Sequence, residues 1–236
     1  MKLTYIRWSM TIIETMGVTI ITDPVFRMFG LPQAPRSYTF DQMPRPDLVF
    51  VSHTHPDHFE PATLRRLPAG TPIWMPAGQL AKAEKLASAG VRGVQEWEAD
   101  TLGGVRLTAV PAVHGGGELG LVVEGDRTAY FAGDTSLDRD LFRTIGQRWR
   151  LDAVLLPIGD LRTLGLPIGH IGPGRAPHAL RLLGEPRVVL PTHYSGMSLT
   201  PLMYCPGTPR KLSRALHKAE LGAVVGTTRP LETIEI

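Results

Sequence analysis

Residues 52–58 read SHTHPDH and directly follow an apolar stretch, residues 47–51, that predicts a short buried strand. Successive side chains of an extended chain point to opposite faces, so His53 and His55 point the same way. Two imidazoles on one face, two residues apart, can share one metal ion.

Pro56 limits that strand and changes the direction of the chain. A proline stops a strand and is tolerated in the first turn of the element that follows. Asp57 and His58 are therefore directed away from the histidine pair, toward a second position. Four potential ligands within six residues, three of them imidazoles, suit zinc or another first-row metal.

Three further candidate ligands each follow a predicted strand, where a rigid sheet can hold a side chain in place. They are His114 after residues 104–113, Asp134 after residues 128–132, and His193 after residues 188–190. Taken singly, each could be a structural residue. Together they complete two coordination shells of the kind that a pair of divalent ions requires.

Four short motifs carry a resemblance to a known family. VSHTHPDHF, PAVHG, FAGDT and LPTHY resemble the ordered motifs of the metallo-β-lactamase superfamily, spread across nearly the whole chain. ITDPVF, DAVLLPIGD, HIGP and LETIEI resemble a bacterial branch of metal-dependent hydrolases. That branch is related to ascorbate-6-phosphate lactonase and N-acylphosphatidylethanolamine phospholipase D.

The resemblance implies a ligand set for two metal ions. It assigns the first ion to His53, His55 and His114, the second to Asp57, His58 and His193, and a bridging position to Asp134. All seven positions match the family pattern. The chain departs from it at Arg7-Trp8, where relatives usually carry Gly-His, so a role of that histidine near the site is lost or reassigned here.

The predicted elements fall into two strand-rich halves, which implies two sheets packed face to face with helices on both outer faces. This is an α/β (α+β) class, and the resemblance implies the same arrangement, the four-layer αββα sandwich of the metallo-β-lactamase fold. The length favours one domain over residues 1–236. Strand is predicted at residues 2–8, 11–15, 18–22, 47–51, 72–75, 104–113, 119–124, 128–132, 153–156 and 188–190, and helix at residues 61–67, 78–89, 139–147, 175–183 and 210–221.

The composition limits the classes of binding partner and the compartment that we expect. No apolar run approaches the ~20 residues of a membrane span. The net charge of +3 comes from arginines scattered along the chain, which is a weak signal for nucleic acid. The lone Cys205 excludes an internal disulfide and favours a reducing compartment, so we expect a cytoplasmic enzyme with a small-molecule substrate. The oligomeric state stays open.

The expected chemistry is hydrolysis by a hydroxide that bridges two divalent ions, zinc first, with manganese, iron or nickel accepted by the same ligands. The hydroxide would attack an ester, lactone, amide or phosphodiester of a small soluble substrate. Asp134 would help to orient it. His170, in PIGHIGP, is the first choice for a general acid or oxyanion donor, and a histidine that only packs or caps its loop is the alternative.

Other polar residues have weaker assignments. We expect Asp23 to anchor a loop by hydrogen bonds rather than to bind metal, and His178 and His217 to lie on helix surfaces. Tyr194 either donates a proton near the site or packs. Cys205 has no activating partner nearby in the sequence, so a catalytic role is not expected.

Three alternative functions stay open at this point. A metal-dependent nuclease or phosphodiesterase on the same fold would need a basic groove and salt-dependent binding. A non-catalytic module would use the metal only for folding, and iron-based redox chemistry would need partner machinery that the sequence does not suggest. Residues 25–46 are expected to form an ordered, irregular loop that covers the substrate, whose identity the fold class does not supply.

Overall fold

The computed structural model of the chain describes residues 1–28, 31–32, 38–86, 90–194, 202–226 and 229–236. The strands are β1 (Lys2–Arg7), β2 (Met10–Thr15), β3 (Val18–Thr22), β4 (Arg27–Met28), β5 (Leu31–Pro32), β6 (Leu48–Phe50), β7 (Pro72–Pro76), β8 (Gly90–Val94), β9 (Ala99–Leu102), β10 (Val105–Pro111), β11 (Leu119–Glu124), β12 (Thr128–Phe131), β13 (Ala153–Pro157), β14 (Arg162–Thr163), β15 (Leu166–Pro167), β16 (Val188–Thr192), β17 (Met203–Tyr204), β18 (Val224–Val225) and β19 (Thr233–Glu235). The α-helices are α1 (Pro61–Leu64), α2 (Arg139–Arg148), α3 (Gly172–Leu182) and α4 (Pro209–Lys218), and 3-10 helix covers Phe40–Gln42 and Ala77–Leu86.

Seven strands form the first sheet, in the order β19-β1-β2-β3-β6-β7-β8. Strands β1, β2 and β3 pair antiparallel and form a meander, and β3, β6, β7 and β8 pair in parallel. Met16 and Gly17 join β2 to β3 with positive φ angles of 50° and 80°. Two such residues in a two-residue connection match the twist of an antiparallel hairpin.

The second sheet has the order β18-β16-β13-β12-β11-β10-β9. Strands β9 to β12 pair antiparallel, and β12, β13, β16 and β18 pair in parallel. Strands β10, β12, β13 and β16 consequently run in one direction, so their carboxyl ends lie at the same edge. The Leu119 N–H donates to the Ser52 carbonyl (3.0 Å), which joins this edge to the residues that follow β6 in the first sheet.

The main core lies between the two sheets. Phe50 of β6 meets Phe131 of β12 edge to face, with ring centroids 6.2 Å apart, inside one cluster of buried apolar side chains. Helices α2, α3 and α4 contribute Phe142, Leu180 and Leu216 to the same cluster and cover the second sheet. The four-layer prediction is confirmed.

The outer face of the first sheet is covered by shorter helical segments than the sequence predicted. Leu64 of α1 and Leu86 of the 3-10 segment pack with Val49 and Ile73 in a second buried cluster. The predicted helix at residues 61–67 ends at Leu64, and the one at residues 78–89 is a 3-10 helix over Ala77–Leu86, with residues 87–89 outside the described ranges.

Other boundaries also differ. Helix α3 begins at Gly172 rather than at residue 175, because Pro173 fits the first helical turn. Strands β8, β9, β14, β15, β17, β18 and β19 were not predicted. Most of them have two to four residues, too few to show an alternating pattern.

The predicted loop at residues 25–46 contains short elements. Strands β4 and β5 pair antiparallel, and the ring of Phe26 stacks on Tyr38 with centroids 5.9 Å apart. Residues 29–30 and 33–37 lie outside the described ranges, so the expected cover over the substrate stays a prediction. Within those ranges, we find no helix with the length and apolar character needed to cross a bilayer.

Candidate metal centre

The first group of ligands consists of His53, His55 and His114, defined here as the imidazole group. Each offers a ring nitrogen, and these atoms lie within 4.8 Å of one another. His53 Nε2 is 2.8 Å from His55 Nδ1, and His114 Nε2 is 3.2 Å from the same atom. His53 is buried, His114 half-buried and His55 exposed. The structure thus brings together the three residues expected to hold the first ion.

The second group consists of Asp57, His58, Asp134 and His193, defined here as the carboxylate group. Its ligand atoms also lie within 4.8 Å of one another, and three of the four residues are buried. Asp134 Oδ2 is 2.9 Å from His58 Nε2 and 3.2 Å from His193 Nε2. His193 Nε2 is also 3.2 Å from Asp57 Oδ2.

The donor atoms of this group fit a cation. The other oxygen of Asp134, Oδ1, is buried and makes no hydrogen bond within the described part of the chain. Buried polar atoms without partners are costly, whereas nitrogen and carboxylate lone pairs that converge are what a divalent ion requires. Asp134 therefore has one oxygen within the carboxylate group and a second, buried oxygen without a hydrogen-bond partner among the described residues.

Comparison of the chain with known protein families and related proteins agrees with a metal-binding site. The profile of the β-lactamase superfamily domain matches residues 18–194. The chain belongs to the metallo-β-lactamase superfamily. A UPF0173 metal-dependent hydrolase of Methanopyrus kandleri is 30% identical over 251 residues, covering 100% of both chains. Another from Deinococcus radiodurans is 37% identical over 182 residues, 70% of this chain and 73% of the relative.

A solved structure of a metallo hydrolase has a similar fold. Igni18, a metallo hydrolase from the hyperthermophilic archaeon Ignicoccus hospitalis, matches with a TM-score of 0.79 at 26% identity, over 99% of this chain and 97% of the other. The protein is a metal-dependent hydrolase, which rules out the non-catalytic alternative. The superfamily resemblance is confirmed, while its narrower branch stays a prediction.

Charge is distributed unequally in the site of this hydrolase. Burial opposes ionisation of His58, but the surrounding carboxylates, Asp134 first, outweigh it and raise the pKa of the imidazole well above its usual value. Burial likewise opposes ionisation of His193, and Asp134 again raises its pKa. The pKa of Asp134 is held well below its usual range, because His193 and His58 outweigh the effect of burial. The carboxylate group is therefore a buried cluster of ion pairs.

In the imidazole group, His53 and His114 behave in the opposite way. Burial, assisted by the neighbouring His58, lowers the pKa of His53 to about 2. Burial also lowers the pKa of His114, although Asp134 opposes the shift. Rings that stay neutral keep a lone pair for a metal, and no proton has to leave when an ion binds.

Asp23 fixes the loop that carries the histidines, as expected from the sequence. Its Oδ1 accepts the Ser52 N–H at 2.7 Å, and its Oδ2 accepts the Ser52 hydroxyl at 2.8 Å. The same Oδ2 lies 2.7 Å from Nδ1 of His58. A carboxylate on the far nitrogen of a histidine sets the tautomer and leaves Nε2 for the metal.

Two polar residues of the site were not predicted. Glu118 is buried, accepts the Asp134 N–H at 2.5 Å and lies 3.5 Å from Nδ1 of His53. Burial, followed by the charge of Asp134, raises the pKa of Glu118 well above its usual value. Gln79 accepts the Thr54 N–H at 2.8 Å and donates to the Gly116 carbonyl at 2.9 Å. It joins the loop of His53 to the loop of His114.

His170 approaches the carboxylate group without being one of its four members. Its Nε2 is 3.3 Å from Asp134 Oδ2, and its Nδ1 is buried with no hydrogen bond in the described part of the chain. Burial and the neighbouring His193 lower its pKa, so the ring is neutral. Arg175 holds the loop by donating to the His170 carbonyl (2.5 Å) and to the Ile171 carbonyl (2.9 Å).

Backbone strain accumulates around the metal centre. Trp8, Asp23, His170 and His193 all have positive φ, between 42° and 59°, a region that residues other than glycine seldom adopt. Such conformations cost of order 1–3 kcal/mol each and persist where the surrounding structure enforces them. The fold therefore enforces a costly backbone conformation at four residues whose side chains lie in or beside the metal centre.

The remaining candidates lie in three different settings. Tyr194 stacks on Tyr5 with centroids 5.1 Å apart, which is a packing role. His217 is exposed on α4, and His178 accepts from Arg139 at the surface of α3, as expected. The thiol of Cys205 contacts His193 and contributes to the raised pKa of that ring, a contact that the sequence did not predict.

A cavity of about 340 Å³ adjoins both groups. Trp8 reaches it and meets His193 edge to face, with centroids 4.4 Å apart. The polar lining is His55, Asp57, His114, Asp134, His170 and His193, and the apolar lining is Trp8, Met28, Pro56, Leu161, Ile168 and Met203.

Proposed function

We propose that the chain is a hydrolase with two divalent ions that cleaves an ester, lactone, amide or phosphodiester of a small substrate. In this assignment the imidazole group holds the first ion, and Asp57, His58 and His193 hold the second. Asp134 bridges the two. The observation that carries the proposal is the position of Asp134, with Oδ2 2.9 Å from His58 Nε2 and Oδ1 buried without a partner among the described residues.

The ligand chemistry supports zinc first, because five of the seven ligands are imidazoles and two are carboxylates. Manganese, iron and nickel accept the same donors, and availability decides between them. When bound, a pair of such ions lowers the pKa of water to ~7 and polarises the group to be cleaved.

The residues of the chain have separate tasks in this proposal. Asp134 fixes the relative position of the two groups. Asp23 and Glu118 hold His58, His53 and the Asp134 backbone in place through the contacts described above. His170 is neutral and lines the cavity, so its ring N–H can donate a hydrogen bond to the oxygen that gains negative charge.

The nuclease alternative receives less support. A polyanion requires several lysine or arginine side chains beside the metals. Among the described residues that line the cavity, none is basic apart from histidine. A small substrate therefore fits the site better than a nucleic acid.

Metal titration coupled to an activity screen tests the proposal. The purified protein would be stripped with a chelator, reloaded with zinc or manganese, and assayed on esters, lactones, amides and phosphodiesters. We expect turnover to rise until two ions are bound per chain, and His114→Ala and Asp57→Ala each to retain about one. Full activity with a single ion, or activity that survives chelation, would contradict it.

A further inference from the structure

A small three-stranded sheet stands beside the cavity. Strands β14 and β15 form a hairpin in which Thr163 pairs with Leu166, and β17 pairs with β14 so that Thr163 also faces Met203. At the base of the hairpin, the Ile168 N–H donates to the Leu161 carbonyl at 2.9 Å. None of these strands belongs to the two large sheets.

The register of this sheet determines which side chains share a face. Residues directly opposite each other across an antiparallel ladder lie on one face, and so do residues two apart along a strand. Leu161, Ile168 and Met203 all line the cavity. Leu166, two residues from Ile168, lies on that same face but nearer the tip, where 70% of its side chain is exposed. The apolar face therefore begins inside the cavity and continues beyond its rim.

The cavity has apolar side chains from other elements as well. Trp8 follows β1, and Met28 ends β4, and both are buried. With Leu161, Ile168 and Met203 they give apolar walls next to a polar centre. Cavities of this composition bind a molecule whose reactive polar end is fixed and whose remainder is apolar.

We propose that the substrate is a neutral ester or lactone with a linear aliphatic chain, which lies along the cavity face of the hairpin and ends against Leu166. This deepens the proposed function and rests on it. Hydrolysis would add one water, break the acyl C–O bond, and give a carboxylic acid and an alcohol, so no further reactant is needed.

The hydrophobic effect predicts how kcat/KM depends on the length of the aliphatic chain. Each methylene removed from water contributes about 0.8 kcal/mol, which is roughly a fourfold gain in binding. If the chain is buried along this face in the transition state, kcat/KM rises by about that factor per methylene until the chain passes Leu166.

The hairpin contains its own control. Leu164, in the turn, is 68% exposed and donates its N–H to the Leu202 carbonyl at 3.0 Å. Its φ of 49° places it in the turn, outside the strands whose alternation defines the cavity face. Leu164 and Leu166 are thus the same residue type and nearly equally exposed, and only Leu166 lies on a strand of the hairpin.

The experiment measures kcat/KM of the zinc-loaded enzyme for p-nitrophenyl acetate, butyrate, hexanoate and octanoate. The variants Leu166→Ser and Leu164→Ser are compared with the parent, with thermal melts to verify folding. We expect a steep rise with chain length in the parent and in Leu164→Ser. In Leu166→Ser the ratio of octanoate to acetate should fall roughly tenfold.

Two results would overturn the inference. One is metal-dependent turnover of acetate with no increase toward octanoate. The other is an equal loss in both variants, especially with a change in oligomeric state, which would make the hairpin a contact between copies of the chain. If no ester in the series is hydrolysed in a metal-dependent way, ester hydrolysis itself fails and the inference with it.

Discussion

The imidazole group and the carboxylate group face the same cavity but are built differently. The first has three imidazoles, one of them exposed, on two loops joined through Gln79. The second has two carboxylates and two imidazoles, is mostly buried, and has Asp23 behind His58. We therefore expect the two proposed metal sites to differ in strength.

Electrostatics explains the direction of the inequality. Two carboxylates can neutralise a divalent cation, and their attraction for it is stronger where water is excluded. The imidazole group contains no carboxylate of its own, and in the proposal it shares Asp134 with its neighbour. Binding at the carboxylate group requires His58 and His193 to release the protons that their raised pKa values retain. We therefore expect the ion at the carboxylate group to bind more tightly as the pH rises, and at high pH to be the last one removed by a chelator.

The largest effect is expected from Asp134→Asn, which removes the charge common to both groups. Turnover should fall by roughly 10³-fold or more, since the substitution weakens both ions and the stabilisation of the transition state. Steady-state kinetics and metal analysis of the same preparation would measure it. The exposed Asp140→Asn serves as the control, and equal activity of the two variants would contradict the shared role of Asp134.

The next effect concerns His170, which contacts the carboxylate group from outside. His170→Ala should reduce turnover about 10²-fold while two ions stay bound, because the ring acts on the substrate and holds no metal. His178→Ala, the same substitution at the surface of α3, should be neutral. Loss of metal from His170→Ala would make this histidine a ligand, and unchanged turnover would remove it from the mechanism.

A smaller effect is expected from the residue that holds the carboxylate group in place. Asp23→Asn keeps the side-chain shape but loses the charge beside His58 Nδ1. The affinity for the second ion should fall about 10-fold to 100-fold, while the first ion is unaffected. Competition with a fluorescent chelator would show both steps. Asp47→Asn, which affects only a contact with the Thr19 N–H, is the control.

The smallest effect is expected from Gln79→Ala, which removes the hydrogen bonds that link the two loops of the imidazole group. Loss of its hydrogen bonds should lower the free energy of unfolding by about 1 kcal/mol and weaken the first ion severalfold. Gln42 makes a matched control, since its amide oxygen likewise accepts from a threonine backbone N–H and hydroxyl, those of Thr39. If both variants retain the first ion equally, Gln79 has no part in holding it.

The sequence predicted which candidate ligands come together better than it predicted the residues that support them. Each of His114, Asp134 and His193 follows a strand, so strand prediction and residue type were sufficient. Glu118 and Gln79 act on partners 16 and 37 residues away, and neither spacing follows a local rule. The contact between Cys205 and His193 was missed for the same reason, since only the folded chain brings them together.

The fold was predictable where apolar residues alternate or repeat over a long stretch, as in the meander and in α2. The hairpin of β14 and β15 was not, because its strands have two residues each and Leu164 adopts a φ of 49° in a turn position usually taken by asparagine or glycine. It is stabilised by pairing with β17, 40 residues later, and local propensity did not reveal it.

Anomalous diffraction from crystals of the metal-loaded protein would show whether the imidazole group and the carboxylate group each hold an ion. We expect two metal peaks about 3.5–4 Å apart. One would lie among His53, His55 and His114, and the other among Asp57, His58 and His193, with Asp134 between them. A single peak, or two peaks away from these side chains, would contradict it.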